Sequence, residues 1–429
     1  MLDIKFIREN SEVVKKITQQ KNINLDIDKL LRTDDSYRKL KQEIEKLQCE
    51  KNKIASQMKG GKPADELVKK GKEVKEKISG LDAEFKKVEK KYNELMLLTP
   101  NIVSKDTPTG KDENDNVEIS RWGEPTKFDF EIKDHIELGK NLDILDIERG
   151  TKVSGYRGYF LKNEGVLMHL GLMMYALDKL VKKGFVPMVT PTIVREFALI
   201  GSGHFPSGKE EVFQIANPGK LASGEEIKES KFLVGTSEPS ILAYRANEVI
   251  DEKELPLKYC GFSQCYRSEI GSYGKDAKGI YRIHEFMKIE QVIICKDDLS
   301  EADKQFEELR KIAEEILEEL KLPYRVIQIC TGDMGAGKYK MYDIETWMPS
   351  RNSYGETHSN SNLTDWQARR LNIKYKNKNG EKRFVYTLNN TAIASPRILI
   401  AILENYQQKN GSVVVPEVLR KWVGKDVIG

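Results

Sequence analysis

Cys265-Tyr266-Arg267-Ser268-Glu269-Ile270-Gly271, a polar loop holding Gly274 and Gly279, then Tyr281-Arg282-Ile283-His284-Glu285-Phe286-Met287-Lys288-Ile289-Glu290-Gln291-Val292: this stretch decides the fold. Glycines between two runs of strand-forming residues predict two extended arms joined by a turn. Side chains two apart on a strand share a face. That spacing groups Arg267 with Glu269, and Arg282, His284, Phe286, Lys288 and Glu290 with one another. Two arginines, a ring and carboxylates then meet on one surface of an antiparallel pair. Two readings fit such a surface: the wet face of a half-buried sheet, or a site for a ligand carrying phosphates, a flat base and an ammonium group.

Arg-x-Glu, a glycine loop and Arg-x-x-x-Phe-x-x-x-Glu resemble motif 2 of the class II aminoacyl-tRNA synthetases, and Cys-Tyr-Arg-Ser-Glu-Ile-Gly resembles the seryl-tRNA synthetase form of it. The resemblance implies an α+β protein: an antiparallel-sheet catalytic domain with an antiparallel coiled-coil hairpin at its N-terminal side.

Composition agrees with that class. A chain of 429 residues has room for two or three domains. Its 71 basic and 67 acidic residues leave a net charge of only +4, so any nucleic-acid surface is local. Five cysteines, at 49, 260, 265, 295 and 330, form no CxxC pair, which points to buried thiols rather than disulfides or zinc. There is no apolar signal core and no run approaching a membrane span. The expectation is a cytoplasmic protein with no membrane partner.

The N-terminal side predicts a hairpin over about 28–97. Its first seam is Leu40, Ile44, Leu47, Ile54 and Met58; its second is Leu67, Val74, Ile78, Leu81, Phe85, Val88, Tyr92 and Leu95. Steps of four and three mark a coiled coil. Lys59-Gly60-Gly61-Lys62-Pro63 breaks the run between them. Over 34–96 there are 17 Lys and Arg against 13 Asp and Glu, a difference of +4 that equals the excess of the whole chain. Such lysines either solvate a coiled coil or meet an RNA backbone; the resemblance implies the second, a grip on tRNA(Ser). The expected domains are 1–105 for tRNA binding, a linker at 106–122 and a catalytic domain at 123–429.

Further along, 150–160 reads as a strand and 163–183 as a helix with Val166, Leu170, Met173, Met174 and Leu177 on one face. A strand from Phe185 ends at Pro191. Helix, strand and proline fit core packing as well as class II motif 1, which implies a homodimer. Residues 200–217 read as a mobile loop. Phe232-Leu233-Val234 turns at Gly235 into a helix capped by Thr236 or Ser237, with Glu238 and Pro239 in its first turn. Gly332 to Lys338 has P-loop spacing, but Tyr339 stands where Ser or Thr is needed and a strand follows, so a P-loop is excluded. Glu356 and Ser359 offer hard oxygen donors three residues apart. Ser395-Pro396 starts a helix that holds Arg397 in its first turn, an unfavourable place against the helix dipole unless an anion is near.

The resemblance spans nearly the whole chain, with the motifs in the family's order. It implies activation of L-serine by ATP to seryl-adenylate, then transfer to tRNA(Ser), and to tRNA(Sec) as well. It implies serine contacts from Thr236, Glu238, Arg267, Glu290, Asn389 and Thr391. It implies ATP contacts from Arg267, Ser268, Glu269, Arg282, Ile283, Phe286, Glu356, Thr357, His358, Ser359 and Arg397, with Mg²⁺ on Glu356 and Ser359. Arg267 and Arg397 are the implied catalytic cations. One departure stands out: Asn389-Asn390-Thr391-Ala392 replaces the Asn-Gly-Ser-Gly of many bacterial members. Two rivals remain: an enzyme of the same fold loading a carrier protein, and a coiled-coil interaction protein with an inactive body.

Overall fold

The computed structural model describes residues 1–58, 65–217, 219–270 and 278–429. The predicted helix break at 59–63, and Gly271 and Gly274, lie outside the described residues. The chain divides into two compact units, Met1–Pro100 and Asn101–Gly429.

In the first unit, two short helices precede the long helices Ile27–Gln57 and Asp65–Leu98. Asp26 caps the first long helix by accepting from the Lys29 N–H at 2.9 Å. The two run antiparallel: Tyr37 stacks on Tyr92 at 4.8 Å and on Phe85 at 5.1 Å, while Ile54 packs with Val74 and Ile78. The predicted seam residues are buried or half-buried, and Lys69, Lys72, Lys75, Lys86, Lys87, Lys90 and Lys91 are exposed. Asp34 is buried and held by Arg8 at 3.0 Å and Arg38 at 3.1 Å.

The second unit is built on a sheet that has, among the described residues, eight strands. Their spatial order is Val117–Trp122, Tyr324–Gln328, Lys340–Met348, Ser353–Thr364, Tyr386–Ala394, Glu285–Cys295, Leu257–Tyr266 and Val186–Val189. All neighbours are antiparallel except the last pair. Helix Leu299–Glu319 packs on one face through Phe306, Leu309, Ile312 and Ile316. Buried Asn360 and Asn390 tie it down by donating to the carbonyls of Phe306 and Leu309, each at 2.9 Å. The opposite face carries the candidate site.

Several expectations need correcting. Residues 106–122 are no linker: Asn101 in the preceding run already donates to the carbonyls of Gly337 and Leu363, and Val117–Trp122 is the outermost strand of the sheet. The expected strand at 150–160 begins as the end of helix Ile147–Ser154, capped by Asp146, continues without regular structure, and becomes strand only at Phe160, the first residue of Phe160–Leu161. Gly150 lies so close to Tyr159 that a Cβ there would stand 2.3 Å from the Tyr159 Cα. Helix Asn163–Lys182 buries Met168, Leu172, Met173, Ala176 and Leu180; of the residues expected on one face, Met173 is buried, whereas Leu170 and Met174 are exposed. The run 200–217 is partly ordered structure: it includes the end of helix Glu196–Ser202 and a 3-10 turn at Lys209–Glu211, and Phe205 is buried edge-on to Phe232 at 5.0 Å.

Gly261 sets how near the Thr236-Ser237-Glu238 turn comes to the sheet. The Ser237 hydroxyl donates to the Gly261 carbonyl at 3.3 Å, and a Cβ on Gly261 would sit 2.4 Å from that hydroxyl oxygen and 2.7 Å from Ile241 Cδ1. Overpacking of this kind costs about 1–3 kcal/mol. Gly261→Ala is therefore expected to lower the thermal midpoint of the second unit, read by calorimetry.

Candidate active site

The strand Glu285–Cys295 forms the floor. Its register sets Phe286 opposite Cys265, Lys288 opposite Ser263 and Glu290 opposite Gly261; on the other side Glu290 faces Thr391. Directly paired residues point the same way, so Phe286, Lys288, Glu290 and Thr391 share one face, as the period-two reading predicts for the first three. Lys288, Thr391 and Phe286 line a cleft with Arg267, Glu269, Tyr281, Arg282, Ile283, Glu356, Thr357 and Arg397. Arg267 lies past the end of its strand but keeps its register: its N–H donates to the His284 carbonyl at 2.9 Å. Its guanidinium carbon stands 5.2 Å from the Phe286 ring centre, and Nε donates to the Gly235 carbonyl at 3.3 Å.

The alternation fails just before the second strand begins. Residues 282–284 are not extended as strand. Arg282 and Ile283 consequently both line the cleft, and His284 does not: its Nδ1 bonds the Arg267 carbonyl at 2.9 Å and its ring meets Phe213 edge-on. Glu269 adopts a left-handed backbone, φ 54°, which turns its carboxylate toward Arg282 at 3.3 Å and Arg157 at 3.6 Å. Ser268 is spent elsewhere, with its hydroxyl donated to the Glu210 carbonyl at 2.9 Å, and is not among the cleft residues.

Two buried carboxylates, neither among the cleft-lining residues, belong to the same cluster: Glu290 contacts the lining Lys288 and Thr391, and the Glu238 charge acts on Glu290. Glu290 is 2% exposed and ion-paired to Lys288, itself 5% exposed; the Thr391 hydroxyl reaches the same oxygen at 3.5 Å. Burial raises the Glu290 pKa, and the Lys288 ammonium opposes that rise. Glu238, 5% exposed, accepts from the Gln367 amide, which also donates to the Ser202 carbonyl at 2.8 Å and accepts from the Thr387 hydroxyl at 2.7 Å. Thr236 is buried and accepts from the Glu238 N–H at 3.5 Å. Asn389 points to the same face, and its buried Nδ2 has no hydrogen-bond partner among the described residues. Serine's ammonium and hydroxyl fit such a set of acceptors and donors.

Glu356 and Ser359, three apart, should point to opposite faces of a regular strand. A bulge resolves this: Glu356 pairs with Glu345 and His358 with Ile344, so Thr357 is the extra residue. Beyond it Ser359 pairs with Asp343, which shares a face with Glu345. Glu356, Ser359 and Asp343 are thereby brought to one side. Asp343 is buried, takes a hydrogen bond from Ser359 and keeps Oδ1 without a partner. Burial first, and then the Glu356 charge, push its pKa well up. Burial would also raise Glu356, but the nearby arginines, Arg397 foremost, hold it below the usual carboxylate range. Arg397 donates to the Glu356 carboxylate at 3.0 Å and to its carbonyl at 2.7 Å, and packs 4.4 Å from the Tyr281 ring. Hard oxygens with an unsatisfied carboxylate atom suit a divalent cation completed by phosphate and water. Among the described residues no group of three or more His, Cys, Asp and Glu gathers for a metal.

His358 is the clearest miss. It lies beyond the bulge on the helix-covered side, 1% exposed, bonded to the Thr357 hydroxyl at 2.9 Å and the Ala392 carbonyl at 3.1 Å. Thr357 does line the cleft, with its hydroxyl turned to the Ile344 carbonyl. Sequence reasoning gave no role to Asp343, Gln367 or Tyr281; none carries a local pattern that marks it. In the departing Asn-Asn-Thr-Ala run, Asn390 anchors the helix, Ala392 is buried, and Thr391 holds the cleft-facing hydroxyl.

Residues 1–103 match the family model "Seryl-tRNA synthetase N-terminal domain", and residues 220–406 match "tRNA synthetase class II core domain (G, H, P, S and T)". The chain is 45% identical over 432 residues to a serine--tRNA ligase of Deinococcus radiodurans, covering 100% of this chain and 99% of that protein. It is 44% identical to the serine--tRNA ligase of Treponema denticola, with 100% of both covered. Among solved structures it resembles the seryl-tRNA synthetase of Pyrococcus horikoshii complexed with ATP: TM-score 0.88, 40% identity, 100% of this chain and 99% of that one.

Burial pushes His358 down to about 4 from an ordinary 6.5. A histidine depressed in the fold contributes stability in full above the unfolded value, and loses it as pH falls from there toward the folded one. Between about pH 7 and about pH 4.5 the wild type should lose about 2–3 kcal/mol more than His358→Gln. Urea denaturation of both proteins at the two pH values checks this.

Proposed function

The chain belongs to the seryl-tRNA synthetases, class II aminoacyl-tRNA synthetases that join serine to tRNA with ATP, and from that membership we propose how this cleft carries the reaction. The observation that supports the proposal best is the single lined face that unites Arg267, Phe286, Glu356, Thr391 and Arg397.

The serine carboxylate must attack the α-phosphate of ATP, and both are anions. Arg267 bridges them with forked donors and offsets charge that develops at phosphorus. For this its guanidinium leaves the Phe286 ring, which it covers in the ligand-free chain, and adenine stacks there instead. Glu269, Arg282 and Ile283 frame the base and the phosphates. Glu290 and Glu238 receive the serine ammonium; Thr236, Asn389 and Thr391 contact the rest of the amino acid. Glu356 and Ser359 would hold Mg²⁺, which would supply charge neutralisation at the phosphates. Arg397, paired with Glu356 at 3.0 Å, turns to the γ-phosphate. No side-chain nucleophile is needed: orientation and electrostatics suffice.

The lysine-rich faces of the long helices bind the tRNA, tRNA(Ser) and also tRNA(Sec), through phosphate contacts that need charge more than fixed geometry. Leu167, Leu170 and Met174 on helix Asn163–Lys182, with Val186 and Val189 on the edge strand, expose apolar area that a second copy of the chain would cover. That exposure supports a homodimer. Among the described residues no helix is long and apolar enough to cross a membrane, and the protein acts in the cytoplasm.

A pocket that hydrogen-bonds the serine hydroxyl leaves its own polar groups unpaired against alanine, a loss worth about 10⁴–10⁵ in discrimination. Pyrophosphate exchange with each of the twenty amino acids tests the proposal. Serine alone should support rapid exchange; alanine matching serine would contradict it.

A further inference from the structure

Lys288 has no place in the mechanism above, although it is paired with Glu290, which has one. Both side chains are buried, on the same sheet face, two residues apart. A carboxylate with no partner at that depth would cost several kcal/mol, and Glu238 adds a second negative charge that Glu290 feels. Each carboxylate has a partner within the protein: Gln367 on Glu238, and the Lys288 ammonium on Glu290. Lys288 thus occupies Glu290 with the same chemical group, a primary ammonium, that the α-amino group of serine presents. The two compete for one carboxylate.

Lys288 is only 5% exposed, so its ammonium, once displaced, needs another anion nearby. Its strand neighbours are small, Ser263 on one side and Ala394 on the other, which leaves its stem room to turn. It lines the same cleft as Arg267. Resting on the reading of Glu290 as the ammonium acceptor, we propose that Lys288 is a second substrate-binding cation: serine's ammonium takes Glu290 from it, and the released Lys288 moves onto the serine carboxylate and, after activation, the adenylate phosphate. The amino group of the substrate thereby releases the charge that its carboxylate needs. An acid without an amino group leaves Lys288 on Glu290 and meets only Arg267.

Serine and serinol, which keeps the ammonium and hydroxyl but lacks the carboxylate, separate this from a structural role. Both are titrated calorimetrically against the full-length wild type, Lys288→Met and Lys288→Arg. Loss of Glu290's partner in Lys288→Met affects both ligands alike and cancels in their ratio. The proposal expects the serine-to-serinol affinity ratio to fall about tenfold or more in Lys288→Met, the usual size of a charge-assisted hydrogen bond, and to recover in part in Lys288→Arg. An unchanged ratio overturns it. Should Lys288→Met not fold, a crystal structure of the wild type with a non-hydrolysable seryl-adenylate analogue decides: Nζ off Glu290 and on the acyl or phosphate-mimicking oxygens supports the exchange, and Nζ still on Glu290 overturns it. Failure of the wild type to bind serine at all would instead sink the reading of the pocket.

Discussion

A carboxylate drawn out of water needs a partner, and three on the cleft face of this sheet hold a cation that a substrate can replace. Glu290 holds Lys288, Glu356 holds Arg397, and Glu269 holds Arg282. Removing one member of the buried Lys288–Glu290 pair leaves an uncompensated charge at a cost of about 3–5 kcal/mol; the Glu356 side chain is 45% exposed, and its pair with Arg397 is worth less. The same cations are the ones that a pair of mutually repelling anions requires. Ligand-free stability and catalysis therefore draw on one set of charges, and the sheet register holds both uses in place.

That register was largely legible in the sequence. Period-two spacing put Phe286, Lys288 and Glu290 on one face, and the pairings with Cys265, Ser263 and Gly261 bear it out. The same rule misplaced His284, because the chain is not strand there and its imidazole is drawn to the Arg267 carbonyl. It had no account of how Glu356 and Ser359 share a side; the bulge at Thr357 supplies one and turns His358 into the interior. A bulge depends on the partner strand, which no local window contains.

Burial was harder to read than element type. The helix Asn163–Lys182 is apolar on most sides, so periodicity alone could not say which face is inner. Asp343 and Gln367 acquire their roles only from residues far along the chain: Asp343 from Ser359 and Glu356, Gln367 from Glu238, Ser202 and Thr387. The coiled-coil seam, by contrast, was plain, since each helix carries its own repeat and needs only its neighbour to complete it. The run 106–122 looked like a linker because it is polar and rich in turn residues, yet its last six residues pair with Tyr324–Gln328 as an edge strand whose side chains are all exposed.

The central claim is that the Arg267 guanidinium draws a carboxylate and a phosphate together on this sheet. Single-turnover formation of seryl-adenylate by Arg267→Ala, at saturating serine and ATP, tests it most directly. The account predicts a rate lower by about 10²–10³-fold, the usual loss when one preorganised donor to a developing charge is removed, with the fold and ATP binding largely kept. Adenylate formed at the wild-type rate would contradict it.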